Sequence, residues 1–241
     1  MKSFFLLVLV IGLLLSGGTW REASAQSTAG AEILIQTDTY TPSFYRGKAL
    51  PSGENLITAI AYPDVSGTSL DPAKLHYKWL RDGIAIPGYA GTGKRMVSFE
   101  TSLANEETLL EVEIANPTGS YRAKKSLYVR DRETKSLVYE DNPVLGVLYN
   151  RAVPRNFQLS STEATFRGVP YFFSALDSRD PRLTYSWQVG GGFASDTERL
   201  TVRTQGERGV SSIGLAVGHK DRYSQTASYE FMISFGDESS R

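Results

Sequence analysis

The chain contains no cysteine. That excludes disulfides, thiol nucleophiles and thiolate-ligated metals together. Histidine is scarce as well: His76 and His219 are the 2 such residues in a chain of 241. A His-based triad needs serine and aspartate partners in space, and no G-x-S-x-G nucleophile elbow accompanies either histidine. Excess charge is missing, since 26 basic residues stand against 26 acidic ones. That balance leaves no electrostatic footprint for nucleic acid or for an anionic membrane. Helical periodicity is nearly absent, and beyond one stretch at the start no long apolar run occurs.

That stretch is residues 4–15, preceded by Lys2 and followed by a polar segment ending Ala23-Ser24-Ala25. These are the parts of a secretory signal peptide, with cleavage expected before Gln26. As a helix the run would span about 18 Å at ~1.5 Å per residue, short of the roughly 30 Å hydrocarbon core. No membrane span is therefore expected in the mature chain, which would carry 24 basic and 25 acidic residues. An exported chain without disulfides must rely on hydrophobic cores, and units of roughly 100 residues are large enough for that.

What is present is repetition. Leu75-His76-Tyr77-Lys78-Trp79 and Leu183-Thr184-Tyr185-Ser186-Trp187 share the pattern L-x-Y-x-W. Each follows an Asp-Pro pair, Asp71-Pro72 or Asp180-Pro181, and the tryptophans are 108 residues apart. That is the length of one sandwich domain. A weaker echo links Tyr45-Arg46-Gly47-Lys48-Ala49-Leu50-Pro51 to Tyr149-Asn150-Arg151-Ala152-Val153-Pro154. Period-2 alternation marks the strands. Leu110, Val112 and Ile114 alternate with Glu111 and Glu113; Tyr229, Phe231, Ile233 and Phe235 alternate with polar or flexible neighbours. Asp82-Gly83 and Gly190-Gly191-Gly192 supply hairpin turns. The charged stretch 131–136 has nothing to bury and reads as a linker. The expected organisation is a signal peptide at 1–25, one sandwich at 31–130, the linker at 131–136, a second sandwich at 137–236 and a frayed tail at 237–241. The fold class is all-β, two tandem antiparallel β-sandwiches.

Tyr77-Lys78-Trp79, Asp82-Gly83 and the run from Leu110 to Gly119 resemble bacterial Ig-like and PKD-type modules of exported surface proteins. The second half fits through Tyr185-Ser186-Trp187 and the strand around Leu215. The segments 40–45 and 139–146 also resemble uncharacterised exported proteins of candidate bacterial phyla. The resemblance implies an immunoglobulin-like sandwich acting as a spacer, an adhesive unit or a glycan-contacting domain. The chain departs from the PKD pattern by lacking Gly-Asp-Gly after the tryptophan, and from antibody-type domains by lacking the cysteine pair.

Several features invite a chemical reading. Gly88 to Lys94 has the spacing G-x-x-x-x-G-K, but Arg95 stands where a phosphate loop needs Ser or Thr and a strand follows; a flexible inter-strand loop is expected. Asp177 and Asp180, with Asp64 and Asp71 in the matching loop, are weak calcium candidates, because Ca²⁺ wants six to eight oxygens. Glu106-Glu107 and Glu111/Glu113 read as a loop and a strand's outer face, not as a glycosidase pair. Both histidines are expected at the surface, His76 on a strand and His219 in a hairpin loop. Tyr77, Trp79, Tyr185 and Trp187 share the inward phase of Leu75 and Leu183 and are expected to anchor the cores. Contact surfaces are better sought at Tyr40, Phe44, Tyr45 and Tyr89, in Pro/Gly-rich loops. No cofactor is expected. The reading is a non-enzymatic structural or interaction protein of the cell envelope, adhesive or scaffolding. Its partner would be an envelope protein or a surface glycan. The alternative is a carbohydrate-binding protein using the loop aromatics, and the least favoured is an envelope hydrolase.

Overall fold

The computed structural model describes residues 30–103, 107–204 and 208–236. The expected signal peptide, Glu106 and the polar tail lie outside the described residues. The first half holds β1 (Ala31–Thr37), β2 (Leu56–Pro63), β3 (His76–Arg81), β4 (Ile84–Thr92), β5 (Met96–Glu100), β6 (Glu107–Ala115) and β7 (Arg122–Arg130). They form two sheets, β1-β2-β5 and β4-β3-β6-β7. The second half holds β8 (Lys135–Asn142), β9 (Gly146–Val147), β10 (Asn156–Gln158), β11 (Glu163–Tyr171), β12 (Leu183–Val189), β13 (Gly192–Ser195), β14 (Arg199–Arg203), β15 (Gly209–His219) and β16 (Arg222–Phe235). Its sheets are β14-β11-β8-β9 and β10-β16-β15-β12-β13. The short β10 pairs in parallel with β16. The strand ladders of the two halves stay separate. The chain is thus all-β, two immunoglobulin-like sandwiches in tandem.

Alternation explains the strands. In β6 Thr108, Leu110, Val112 and Ile114 are buried while Glu111 and Glu113 face outward. Each L-x-Y-x-W strand is followed by a turn with two left-handed residues, Asp82 (φ 51°) and Gly83 (φ 78°), or Gly190 (φ 57°) and Gly191 (φ 82°). Such a turn matches the twist of the strands it joins.

The two tryptophan sites correspond closely. Trp79 and Trp187 are fully buried. The Trp79 indole N–H donates to the Lys94 carbonyl at 2.9 Å, and that of Trp187 to the Thr197 carbonyl at 2.9 Å. Both carbonyls lie two residues ahead of the next strand, β5 or β14. The N–H of Ala61 donates to Arg95, and that of Gly168 to Glu198, each at 2.8 Å, so Ala61 and Gly168 are equivalent. Trp79 pairs with Val112 and Trp187 with Leu215, which makes Val112 and Leu215 equivalent too. A Cβ added at Gly168 would lie 2.6 Å from Leu215 Cδ2 and 3.3 Å from Trp187 Cζ2. Ala61 with Val112 has therefore become Gly168 with Leu215, a methyl moved from one wall of the core to the other at nearly constant volume.

Three expectations need correction. The stretch 88–94 is mostly strand, because β4 runs through Thr92. A further strand, β8, opens the second sandwich within the expected linker. His219 is not a surface residue: it is 7% exposed, its Nε2 lies 3.0 Å from the Ser174 carbonyl, and burial lowers its pKa.

Candidate functional site

The loop aromatics meet the second sandwich. Residues 39–51 leave β1 and cross as a strap onto the outer face of β8 and β11. Backbone bonds fix the crossing: the Tyr40 N–H donates to Phe173 at 2.7 Å, and the Phe172 N–H donates to Tyr40 at 2.8 Å. Phe44 stacks on Tyr149 with ring centroids 4.1 Å apart and meets Tyr139 edge-on at 5.7 Å. Tyr45 meets Tyr171 and Phe172 edge-on, each at 5.8 Å. Beneath them the Tyr139 and Tyr171 hydroxyls share a hydrogen bond of 2.8 Å. Phe44 and Tyr45 are half-buried, packing the two sandwiches together, and burial raises the pKa of Tyr40. Tyr89 lies on β4, not in a loop, and packs against the first core.

A polar lock sits beside the strap. Gln225, fully buried on β16, accepts the Ser174 N–H at 2.8 Å. Its amide nitrogen reaches the Gly53 carbonyl and the Ser174 hydroxyl, each at 2.9 Å, and the Ser52 hydroxyl at 3.2 Å. The Glu54 carboxylate accepts the Ser224 N–H and hydroxyl, each at 2.8 Å, and Arg222 donates to the Glu54 carbonyl. The Arg132 N–H donates to Pro51 at 2.7 Å. Buried amides satisfied on every side are costly to unpair, so the two sandwiches act as one body.

The Asp180 carboxylate is satisfied by groups of the protein itself. Asp180 is 6% exposed, and both its carboxylate oxygens are engaged. Oδ1 accepts the Arg182 N–H at 3.0 Å and Nε at 2.9 Å; Oδ2 accepts the Leu176 N–H at 2.8 Å and Arg182 Nη2 at 2.6 Å. The Arg182 guanidinium holds its pKa well below the usual carboxylate range. Asp177 caps the Arg179 N–H at 2.6 Å, and Asp71 caps a single-turn 3-10 helix, Pro72–Lys74, through the Ala73 N–H. Among the described residues no group of three or more His, Asp or Glu could hold a metal ion. Of the expected core anchors, Tyr77, Trp79 and Trp187 are fully buried, while Tyr185 is half-buried with its hydroxyl on the Ser178 carbonyl at 2.6 Å.

The open feature of the molecule is the outer face of β12, β15 and β16. Register places Ser186, Ala216 and Ser228 in one row, and Gln188, Gly214 and Glu230 in the next. The central strand is small, the flanking strands carry hydroxyls, an amide and a carboxylate, and the face is a trough. Cavities of about 880 and 450 Å³ lie end to end along it. Segment 132–137 and Gly53 wall the larger one; Arg155 and Met232 border the smaller. Phe193 pairs with Gln188 across the β12–β13 hairpin, so it stands on the same face, 71% exposed.

The same face of the first sandwich is closed. Lys78, Glu113 and Lys124 fill the row equivalent to Ser186, Ala216 and Ser228. Lys78 lies 3.5 Å from Glu113, and Lys124 lies 2.9 Å from Glu111 and 3.9 Å from Glu113.

No protein-family model matches the chain, and no curated protein does. Solved structures similar to it are remote. The three N-terminal domains of the bacteriophage RB49 highly immunogenic outer capsid protein share 15% identity over 86% of this chain and 59% of theirs, with a TM-score of 0.45. The fibronectin(III)-like modules of Clostridium thermocellum CbhA share 13% over 86% of this chain and 98% of theirs, at 0.29. The Bacteroides ovatus mixed-linkage glucan utilization locus protein SGBP-B, solved with a mixed-linkage heptasaccharide, shares 12% over 83% of this chain and 47% of its own, at 0.25. The chain thus spans less than two thirds of the first and the last. The architecture described above rests on the chain's own strand pairing. Among the described residues no helix is long and apolar enough to cross a membrane.

Sequence reading missed Phe193 and the trough. Phe193 follows three glycines and reads as turn. The trough arises only when Gly214, Ala216 and Gly218 are seen to lie between two hydroxyl-bearing strands.

Proposed function

We propose that the chain is a non-enzymatic, exported interaction module of the cell envelope, a stiff two-sandwich body that holds the outer faces of its sheets in fixed relation to a partner. The observation that carries this reading is the weld at residues 39–55, 172–174 and 222–225. Its bonds run through buried side chains and backbone, and a flexible spacer would need none of them. The side chains that carried the chemical alternatives are committed to structure: His219 to Ser174, Asp180 to Arg182, Phe44 and Tyr45 to the second sandwich. Export rests on the sequence of residues 1–25. The domain limits 31–130 and 137–236 belong to this proposal; the strap makes the two units interdependent.

The test is fractionation of producing cells, followed by cross-linking on intact cells and incubation of the purified chain with envelope material. The expected result is a chain outside the cytoplasm that cross-links to an envelope component and turns nothing over. Recovery from the cytoplasm, or release of cleaved product, would sink the reading.

A further inference from the structure

We infer that the trough on β12, β15 and β16 is a binding site for a neutral, extended oligosaccharide; the inference rests on the proposed interaction role and names its ligand class. Four lines of chemistry converge on it. First, its polar groups are uncommitted. The side chains of Ser186, Gln188, Ser228 and Glu230 make no hydrogen bond within the described residues, whereas Lys78 and Lys124, the equivalents of Ser186 and Ser228, are spent on ion pairs.

Second, the trough has the right dimensions. Its rows run from Thr184, Gly218 and Thr226 to Ser212 and Met232. At about 3.4 Å per residue that is roughly 20 Å, the length of a tetrasaccharide. The flanking strands stand about 9.6 Å apart across the central one, so hydroxyls rise on both sides of a channel floored by Gly214 and Ala216. Third, the aromatic is at the rim. Phe193 offers an exposed apolar face beside the Gln188 amide, a combination that receives the C–H face of a sugar ring while its hydroxyls are bonded at the edge. Fourth, the charge is mixed: Arg132, Glu133 and Lys135 stand in the wall of the larger cavity and Glu230 and Arg155 line the smaller, so no large field of one sign selects a charged ligand. An extended peptide fits less well. Peptides add to sheet edges through unpaired backbone groups, and β15 is paired on both sides.

The experiment is calorimetric titration of the purified chain with cellohexaose, xylohexaose, mannohexaose and chitohexaose, beside a neutral extended decapeptide. Gly214→Leu fills the channel at a position where an added Cβ meets only Glu230 Cγ, at 3.9 Å. Phe193→Ala removes the platform from an exposed position and so leaves folding intact if the first variant fails. Binding of at least one hexasaccharide is expected, weakened tenfold or more by each substitution, with unchanged melting in Phe193→Ala. The inference is overturned if no hexasaccharide binds, if the peptide alone binds, or if Phe193→Ala binds as tightly as the parent. Those outcomes leave the interaction role standing. New reducing ends in the titrated sugars would instead overturn the interaction role while leaving the site.

Discussion

Lys78, Glu113 and Lys124 in the first sandwich hold the register positions that Ser186, Ala216 and Ser228 hold in the second. One row is bridged by long, charged side chains; the other is hollow. Inside, beside the tryptophans, Ala61 and Val112 stand against Gly168 and Leu215, a change compensated across the core, while two residues along the same strands Ala59 stands against Phe166. Packing at crystal-like density makes interior changes come in compensating sets, whereas surface ion pairs contribute little to stability. The outer face is free to change without such compensation, and there the halves differ in chemistry as well as in size.

The comparison breaks first at the tryptophans if it breaks at all. Trp79→Ala and Trp187→Ala should each cost about 3–5 kcal/mol in urea denaturation; a loss below about 1 kcal/mol for either would show that the anchors are not equivalent. Gln225→Ala leaves the Ser174 N–H and the Gly53 carbonyl unpaired. It should cost about 2–3 kcal/mol and split one calorimetric transition into two. A single unshifted transition would mean that the halves are not welded there. Gly168→Ala should cost about 1–3 kcal/mol by overpacking, and adding Leu215→Val should recover most of that loss. Failure of the second change to rescue the first would refute the exchanged methyl.

The smallest effect is a pH dependence confined to the second sandwich. Because Arg182 depresses the Asp180 pKa, the stability that Asp180 supplies is complete above the unfolded carboxylate value of ~3.9. It is lost as pH falls through the folded value. Asp180→Asn should cost about 1 kcal/mol at neutral pH and flatten the acid limb of the stability profile. A parallel acid limb in the variant would assign that dependence elsewhere.

Much of this architecture was legible in the chain. Alternation around Val112 and Leu215, the two hairpin turns and the repeated L-x-Y-x-W place strands directly, because one buried face imposes a period of two. The strap was not legible. Tyr40, Phe44 and Tyr45 look like exposed loop aromatics, since nothing local reveals that a face 100 residues onward will cover them. His219 failed for the same reason: its cover is Ser174, brought across the fold by the 172–174 turn. The trough was hidden because glycines and serines in a strand read as weak pattern; their meaning comes from the neighbouring strands.

The strap also sets an order of assembly. Phe44 and Tyr45 are synthesised before Tyr139, Tyr171 and Phe172, so a nascent first sandwich carries its aromatics with nothing to rest on until the next hundred residues have emerged. Cutting the gene at the charged stretch would yield two incomplete products, one with a sticky loop and one with a bare aromatic wall. The seam in the sequence is not the seam in the packing, and a dissection that keeps residues 39–55 attached to the second half is the one that would leave that half covered.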